Sequence, residues 1–178
     1  LVGPRWIFTA ALVAGVVWIA AELAAQVPVV DGSKFAGLKW TFVRIKYSSY
    51  ENEGGQASRL AYWDEPWAID APAAEQNLSR RIKSVTAINV GEPQVLTLED
   101  PKLWENPWIY IVEPSNLVLK ETEVPILREF LLRGGTLTLD DFHGPFDWEL
   151  TEKQLQRVFP DREIVEIAPP HPIYTCFY

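Results

Sequence analysis

The sequence predicts an α/β domain, a mainly parallel β-sheet with helices packed on both faces. Three observations predict it. From about residue 77 onward, segments with strand and helix periodicity alternate with short connections, which is the arrangement of βαβ units. The run PWIYIVEP is continuously apolar, as a strand buried on both faces must be. The stretch LLRGGTLTLDDFHG passes from helix stop to strand to polar loop within a few residues.

The elements follow in order. LKWTFVRIKY alternates Trp40, Phe42, Val43, Ile45 and Tyr47 with Lys39, Thr41, Arg44 and Lys46, and reads as the first strand. SSYENEGGQASRLAYWDEPWAIDAPAAEQ has no period and is rich in Gly, Pro and Trp; a loop of that length in a compact domain is functional or a local elaboration. AAEQNLSRRIKSVTAI carries Leu78, Ile82 and Val85 at spacing four and three, which is a helix face. QVLTL is a short strand and PWIYIVEP a buried one. LKETEVPILREFLLRGG is a helix with Thr122 or a neighbour as cap, Pro125 in the first turn and Gly134 at the stop. TLTLDD is the next strand. WELTEKQLQRVFP presents Leu150, Leu155 and Val158 on one side and ends at Pro160, and EIVEI is expected to be a final strand.

The chain of 178 residues is 48% hydrophobic and 12% aromatic, enough for one good core. A net charge of -8 without a Lys/Arg cluster argues against a phosphate-backbone partner, so no nucleic acid is expected. The single cysteine, Cys176, cannot form an internal disulfide and leaves the redox compartment open. Arg5 precedes an unbroken apolar and small-residue run from Trp6 to Ala21, closed by Glu22. It is short for a span, which needs about 20 apolar residues. Residues 1–26 are therefore expected to be a signal peptide cut near Ala25, with an uncleaved N-terminal anchor as the alternative. Residues 27–39 would be a linker and residues 40–178 the domain, which stops at CFY inside an apolar pattern and is expected to continue. Either N-terminal reading sends the domain out of the cytoplasm, to the periplasm or beyond, with membrane association only if the segment is uncleaved.

In parallel sheets the ligand crevice lies outside the C-terminal ends of the strands. That rule selects Tyr47 and the loop after it, Glu113 with Ser115 and Asn116, then Asp140, Asp141 and His143, and finally His171. Asp140, Asp141, His143 and His171 carry the groups for general acid–base work or for a divalent metal, although D-D-x-H is not a specific ligand signature. The plainer expectation is that one aspartate caps the next helix or accepts turn N–H groups while Gly144 and Pro145 finish the turn, and that His171 is a hydrogen-bonded side chain beside a rigid proline pair. No G-x-S-x-G elbow and no glycine-rich phosphate motif occurs. Of the eight tryptophans, those at 40, 63, 67, 104 and 108 could form a stacking surface, though core packing accounts for them more simply. RLAYWDEPWAID gathers Arg59, Tyr62, Trp63, Asp64, Trp67 and Asp70 in a segment without evident structural duty. Tyr47, Arg59, Trp63, Trp67 and Asn116 are the candidate ligand-binding residues.

The ordered blocks RIKY, WDEPW, NLSRRIKSVT, DPKLWENPWIYIVEP, LREFLLRGGTLTLDDFHG and RVFPDREIVEIAPPHPIY resemble the DUF4159 family of bacterial proteins over about residues 40 to 178. The resemblance implies a flavodoxin-like, class I glutamine amidotransferase-like fold and no mechanism, since the family has no known function. Where amidotransferases place the cysteine of their nucleophile elbow, this chain has Asp140 or Asp141. Their late His-Pro-Glu corresponds here to His171, Pro172 and Ile173, without the acid. Thiol amidotransfer is contradicted at two of three positions. The expectation is an exported module that binds a small ligand or a protein partner, with no cofactor. The alternatives are a metal- or Asp/His-dependent hydrolase and a structural partner in a membrane complex.

Overall fold

The computed structural model describes residues 37–49 and 65–175. Four parallel strands, β1 (Val43–Ile45), β3 (Gln94–Leu96), β4 (Trp108–Val112) and β6 (Thr136–Asp140), lie in the order β3-β1-β4-β6. Two short strands, β2 (Ser48–Ser49) and β5 (Leu117–Val118), pair antiparallel beside them. The helices are α1 (Ala73–Val85), α2 (Glu123–Leu132) and α3 (Gly144–Val158). The order reverses between β1 and β4, the strand pair at whose C-terminal ends a crevice opens in sheets wound this way.

Successive strand residues point to opposite faces, so β4 serves two cores. Ile109 and Ile111 join a cluster with Leu127 and Phe130 of α2 and Val158 of α3. Tyr110 and Val112 join Phe42, Trp40, Ile69 and Trp108 on the other side. There Phe42 meets Trp108 edge-on at 5.0 Å between ring centroids, and the Trp108 indole donates to Thr138 Oγ1 at 2.9 Å. The α2 and α3 helices are held together by Arg128, which donates to the carbonyls of Val158 at 2.5 Å and Arg157 at 3.0 Å.

Helix α2 begins where the sequence places it, but the capping group differs. Thr122 donates its hydroxyl to Glu99 Oε1 at 2.7 Å, and the Glu123 carboxylate takes the Lys120 N–H at 2.9 Å. At the other end Gly134 is left-handed with φ of 94°, and a Cβ on Gly135 would stand 2.4 Å from the Phe130 ring. The glycine pair both ends the helix and lets the chain pass under that ring.

Two expectations are corrected, and the orientation of one helix is settled. In α1 the face of Leu78 and Val85 is not buried, since each is 40% exposed; Glu75 and Ser79 are buried instead. The reason is Arg44, which projects from β1 toward α1 and needs a carboxylate, so the helix turns its polar side inward. Gly144 and Pro145 do not finish a turn; they are the first residues of α3. EIVEI forms no strand, and Ile164, Val165 and Ile167 are exposed in an irregular segment.

Candidate functional site

The C-terminal ends of β4 and β6 carry an unusual backbone. Glu113, directly after β4, and Asp141, directly after β6, are both left-handed, with φ of 49° and 64°. Asp70, just before α1, has φ of 60°. These are the described residues other than glycine with positive φ, and all three are acidic. A residue bearing Cβ adopts this region at a cost, least for aspartate, whose short side chain bonds locally. Such conformations persist where the surrounding structure over-determines them, and they collect at functional sites.

Local bonds hold the turns. The Glu113 N–H donates to Asp140 O at 3.0 Å, and Asn116 N–H closes the following 3-10 turn on Glu113 O at 3.0 Å. Tyr47, at the end of β1, is buried, and its hydroxyl lies 2.9 Å from the carbonyl oxygens of both Val112 and Glu113. It latches β1 to the end of β4. Burial, reinforced by the Glu113 charge, lifts its phenol above the ordinary tyrosine range. Asp140 takes the Tyr110 hydroxyl on Oδ2 at 3.0 Å and the Asp141 N–H on Oδ1 at 2.9 Å. Tyr110 too is raised, first by burial and then by its bond to Asp140. Asp141 turns away and meets His143 Nε2 through Oδ1 at 3.0 Å; the imidazole itself is 80% exposed. Asp147, in the first turn of α3, accepts the His143 N–H at 2.9 Å and is favoured there by the helix dipole.

Glu113 stands at the centre of this charge. Its carboxyl is pushed up by burial and then by Asp141, with Asp147 and Asp70 adding to the rise and His143 opposing it. A raised folded value means that the native state holds the proton more tightly than the unfolded chain does. Glu113 therefore costs stability as pH rises from the free carboxylate value of about 4.3 through the folded one. Glu113→Gln is expected to be more stable than the parent at pH 7, by less than about 1 kcal/mol because the group is partly solvated. The advantage should vanish below about pH 4, where both chains are neutral at this position. Thermal unfolding of both proteins from pH 3 to 8 measures it, and parallel curves would contradict the raised value.

The sequence-selected residues separate into groups. Glu113, Asp140, Asp141 and His143 are brought to one end of the sheet, and Asn116 and the buried Ser115 sit in the turn after Glu113. Trp67 is buried in the core cluster with Lys46 above its ring, so it offers no open stacking face. His171 caps a 3-10 turn by taking the Ile173 N–H on Nδ1 at 3.2 Å, and among the described residues no hydrogen bond or ion pair joins it to Asp140, Asp141 or His143. Arg59, Trp63 and the apolar run from Trp6 to Ala21 lie outside the described residues. Sequence reasoning missed Tyr110 and Asp147. An acid in the first turn of a helix is a readable signal for the second; nothing local marks the first.

Among the described residues no group of three or more His, Cys, Asp or Glu side chains is arranged to hold a metal ion, and no helix is long and apolar enough to cross a membrane. The arrangement presents carboxylate oxygens and one exposed imidazole, backed by two buried phenols that are already hydrogen-bonded. It can accept hydrogen bonds from hydroxyl or ammonium groups, and it can exchange a proton. The family model described as a domain of unknown function (DUF4159) matches residues 42–178. Comparison with curated proteins gives no match.

Proposed function

The chain belongs to the DUF4159 family, and from that premise we propose that its α/β domain is an exported ligand-binding or accessory module of the bacterial envelope, without thiol chemistry. Its ligand would bind at the C-terminal end of the sheet, at the rim formed by the turns after β4 and β6. The observation that carries this reading is the set of three left-handed acidic residues, with Asp70 and Asp141 both acting on the partly buried carboxyl of the third, Glu113. The strand order supports a flavodoxin-like or amidotransferase-like winding, in which this end of the sheet is the binding end. An acceptor-rich, anionic rim suits a small ligand that bears hydroxyl or ammonium groups. Export rests on the apolar run after Arg5, and mass spectrometry of the mature N-terminus tests it.

The test of binding is a thermal-shift and calorimetric screen of neutral oligosaccharides and of lysine-containing peptides, run in parallel on the parent and on Asp141→Asn. A stabilising ligand is expected, with affinity reduced about 10- to 100-fold in the variant, the worth of one bond to a charged group. The free variant should keep its melting temperature within about 2 °C, because the carboxylate is at the rim. A ligand bound equally well by both proteins would overturn the placement.

One observation favours a second reading, hydrolysis. The Asp141–His143 contact would orient the imidazole as a general base toward water, and Glu113, holding its proton more tightly than a free carboxyl, would serve as the acid. Under that reading His143→Ala abolishes turnover of a bound ligand while leaving its affinity intact.

A further inference from the structure

Arg44 explains why Glu75 is turned inward on α1, but it does not explain Ser79. Ser79 is 8% exposed, one helical turn beyond Glu75, and among the described residues its Oγ has no hydrogen-bond partner. Glu75, 3% exposed, keeps one carboxylate oxygen, Oε2, in the same condition. Buried polar atoms are nearly always paired, so two such atoms on one face of one helix call for a partner. Both residues stand in the walls of hollows along the same side of α1. A cavity of about 380 Å3 lies between the start of α1 and β3, walled by Ala71, Pro72, Glu75, Pro93 and Val95. A second, of about 270 Å3, adjoins it across Gln76, Glu92 and Pro93 and has Ser79 in its wall. We infer that this groove between α1 and β3 binds a small neutral molecule with an apolar body and hydroxyl or amide N–H groups, one of which donates to Glu75 Oε2.

The sheet leaves the groove open. β3 is the outer strand, and among the described residues nothing pairs with its far side. Val95 is in register with Arg44, so its side chain faces α1 as Arg44 does, and it remains 45% exposed at the floor of the groove. The larger hollow falls within the range of small-molecule sites, about 300–1,000 Å3, and has their character, mainly apolar with few polar groups. The two polar stations set the chemistry of the ligand. A carboxylate oxygen only accepts and requires a donor, whereas the Ser79 hydroxyl can donate or accept. Four residues of helix advance about 6 Å, so the two polar groups of the ligand stand about that far apart. Arg44 already neutralises Glu75, and an ammonium or a carboxylate beside that pair would bury a further charge. The charged groups at the mouth, Arg80, Lys83 and Glu92, are exposed and of both signs, and favour neither kind of ion. The ligand is therefore neutral. No residue of the wall belongs to the turns after β4 and β6, so the site is separate from that rim and stands without the function proposed for it.

Three molecules on one frame separate these requirements. Para-xylylene glycol, its dimethyl ether and para-xylylenediamine are titrated into the isotope-labelled full chain and followed by amide chemical shifts. The glycol is expected to bind with millimolar affinity, as about ten non-hydrogen atoms allow, and to shift amides within residues 71–83 and 91–96. The ether, which cannot donate, and the diamine, which is charged, are expected to bind at least about 10-fold more weakly. Ser79→Ala should keep the fold, since it removes an unpaired hydroxyl, and should weaken the glycol about 3- to 10-fold. Val95→Trp, at an exposed position of the floor, should fill the cavity and abolish the shifts. Absence of shifts at these amides in the parent protein would mean hollows that hold only water, and would overturn the inference. Equal affinity for glycol and ether would overturn the bond to Glu75, and tighter binding of the diamine would overturn the neutral class. These readouts lie away from Glu113, Asp141 and His143, so their failure and that of the binding screen at the rim are separable.

Discussion

Glu75→Ala is expected to cost about 3–5 kcal/mol of stability, because it leaves a buried charge without its partner. Arg44 is fully buried in the middle of β1, and Glu75 is 3% exposed on α1. The Arg44 Nε donates to Glu75 Oε1, its Nη1 donates to Trp67 O at 3.0 Å, and the guanidinium lies 5.3 Å from the centre of the Tyr110 ring. Removing the carboxylate leaves a buried cation with one carbonyl and a ring face, and domains hold only about 5–15 kcal/mol in all. The pair is not itself the optimum. Among the described residues Arg44 Nη2, Glu75 Oε2 and Ser79 Oγ have no hydrogen-bond partner, so part of the desolvation cost is not recovered. The double variant Arg44→Met, Glu75→Met is therefore expected to recover most of the loss. Urea unfolding of the single and double variants measures both, and a single variant within 1 kcal/mol of the parent would show that Arg44 escapes to water.

Trp67→Ala is expected to cost about 3–5 kcal/mol, the usual loss for a large aromatic removed from a core. The side chain is 1% exposed, packed in the main apolar cluster, with Lys46 Nζ 5.2 Å from the ring centroid. A tryptophan that stacks on ligand would behave in the opposite way, with binding lost and stability kept. Denaturant unfolding combined with the ligand screen separates the two roles. The Trp67 group that accepts from Arg44 is its backbone carbonyl, which Trp67→Ala retains, so that loss is one of core packing and not of the Arg44 bond.

The strands and helices from residue 94 to 158 were legible because their signals are local. Alternation of apolar residues marks β6, a continuous apolar run marks β4, and Gly134 marks the end of α2. The buried side of α1 was not legible. Its apolar residues sit at helical spacing, yet the helix is oriented by a charge that arrives from β1, thirty-one residues earlier. The candidate site was legible in position and not in content. The rule for strand ends selected Glu113, Asp140, Asp141 and His143, while Tyr110 reads in sequence as one more residue of a buried strand. Its hydroxyl becomes a partner of Asp140 only because β4 and β6 pair in a register that sets Tyr110 beside Thr138, one residue pair short of that tip on the same face.

The sequence by itself determined the α/β class, the membership in its family and the end of the sheet where chemistry would be placed, since each follows from patterns within a few tens of residues. Tertiary structure alone decided which acids share a field, that Trp67 belongs to the core, and that Asp70, Glu113 and Asp141 are held left-handed. Those properties depend on pairing register and on contacts between residues distant in the chain, and no local spacing encodes them. The same limit applies to residues 163–167. Their alternation predicts a strand, but a strand exists only where an edge pairs with it, and in the fold this segment pairs with none.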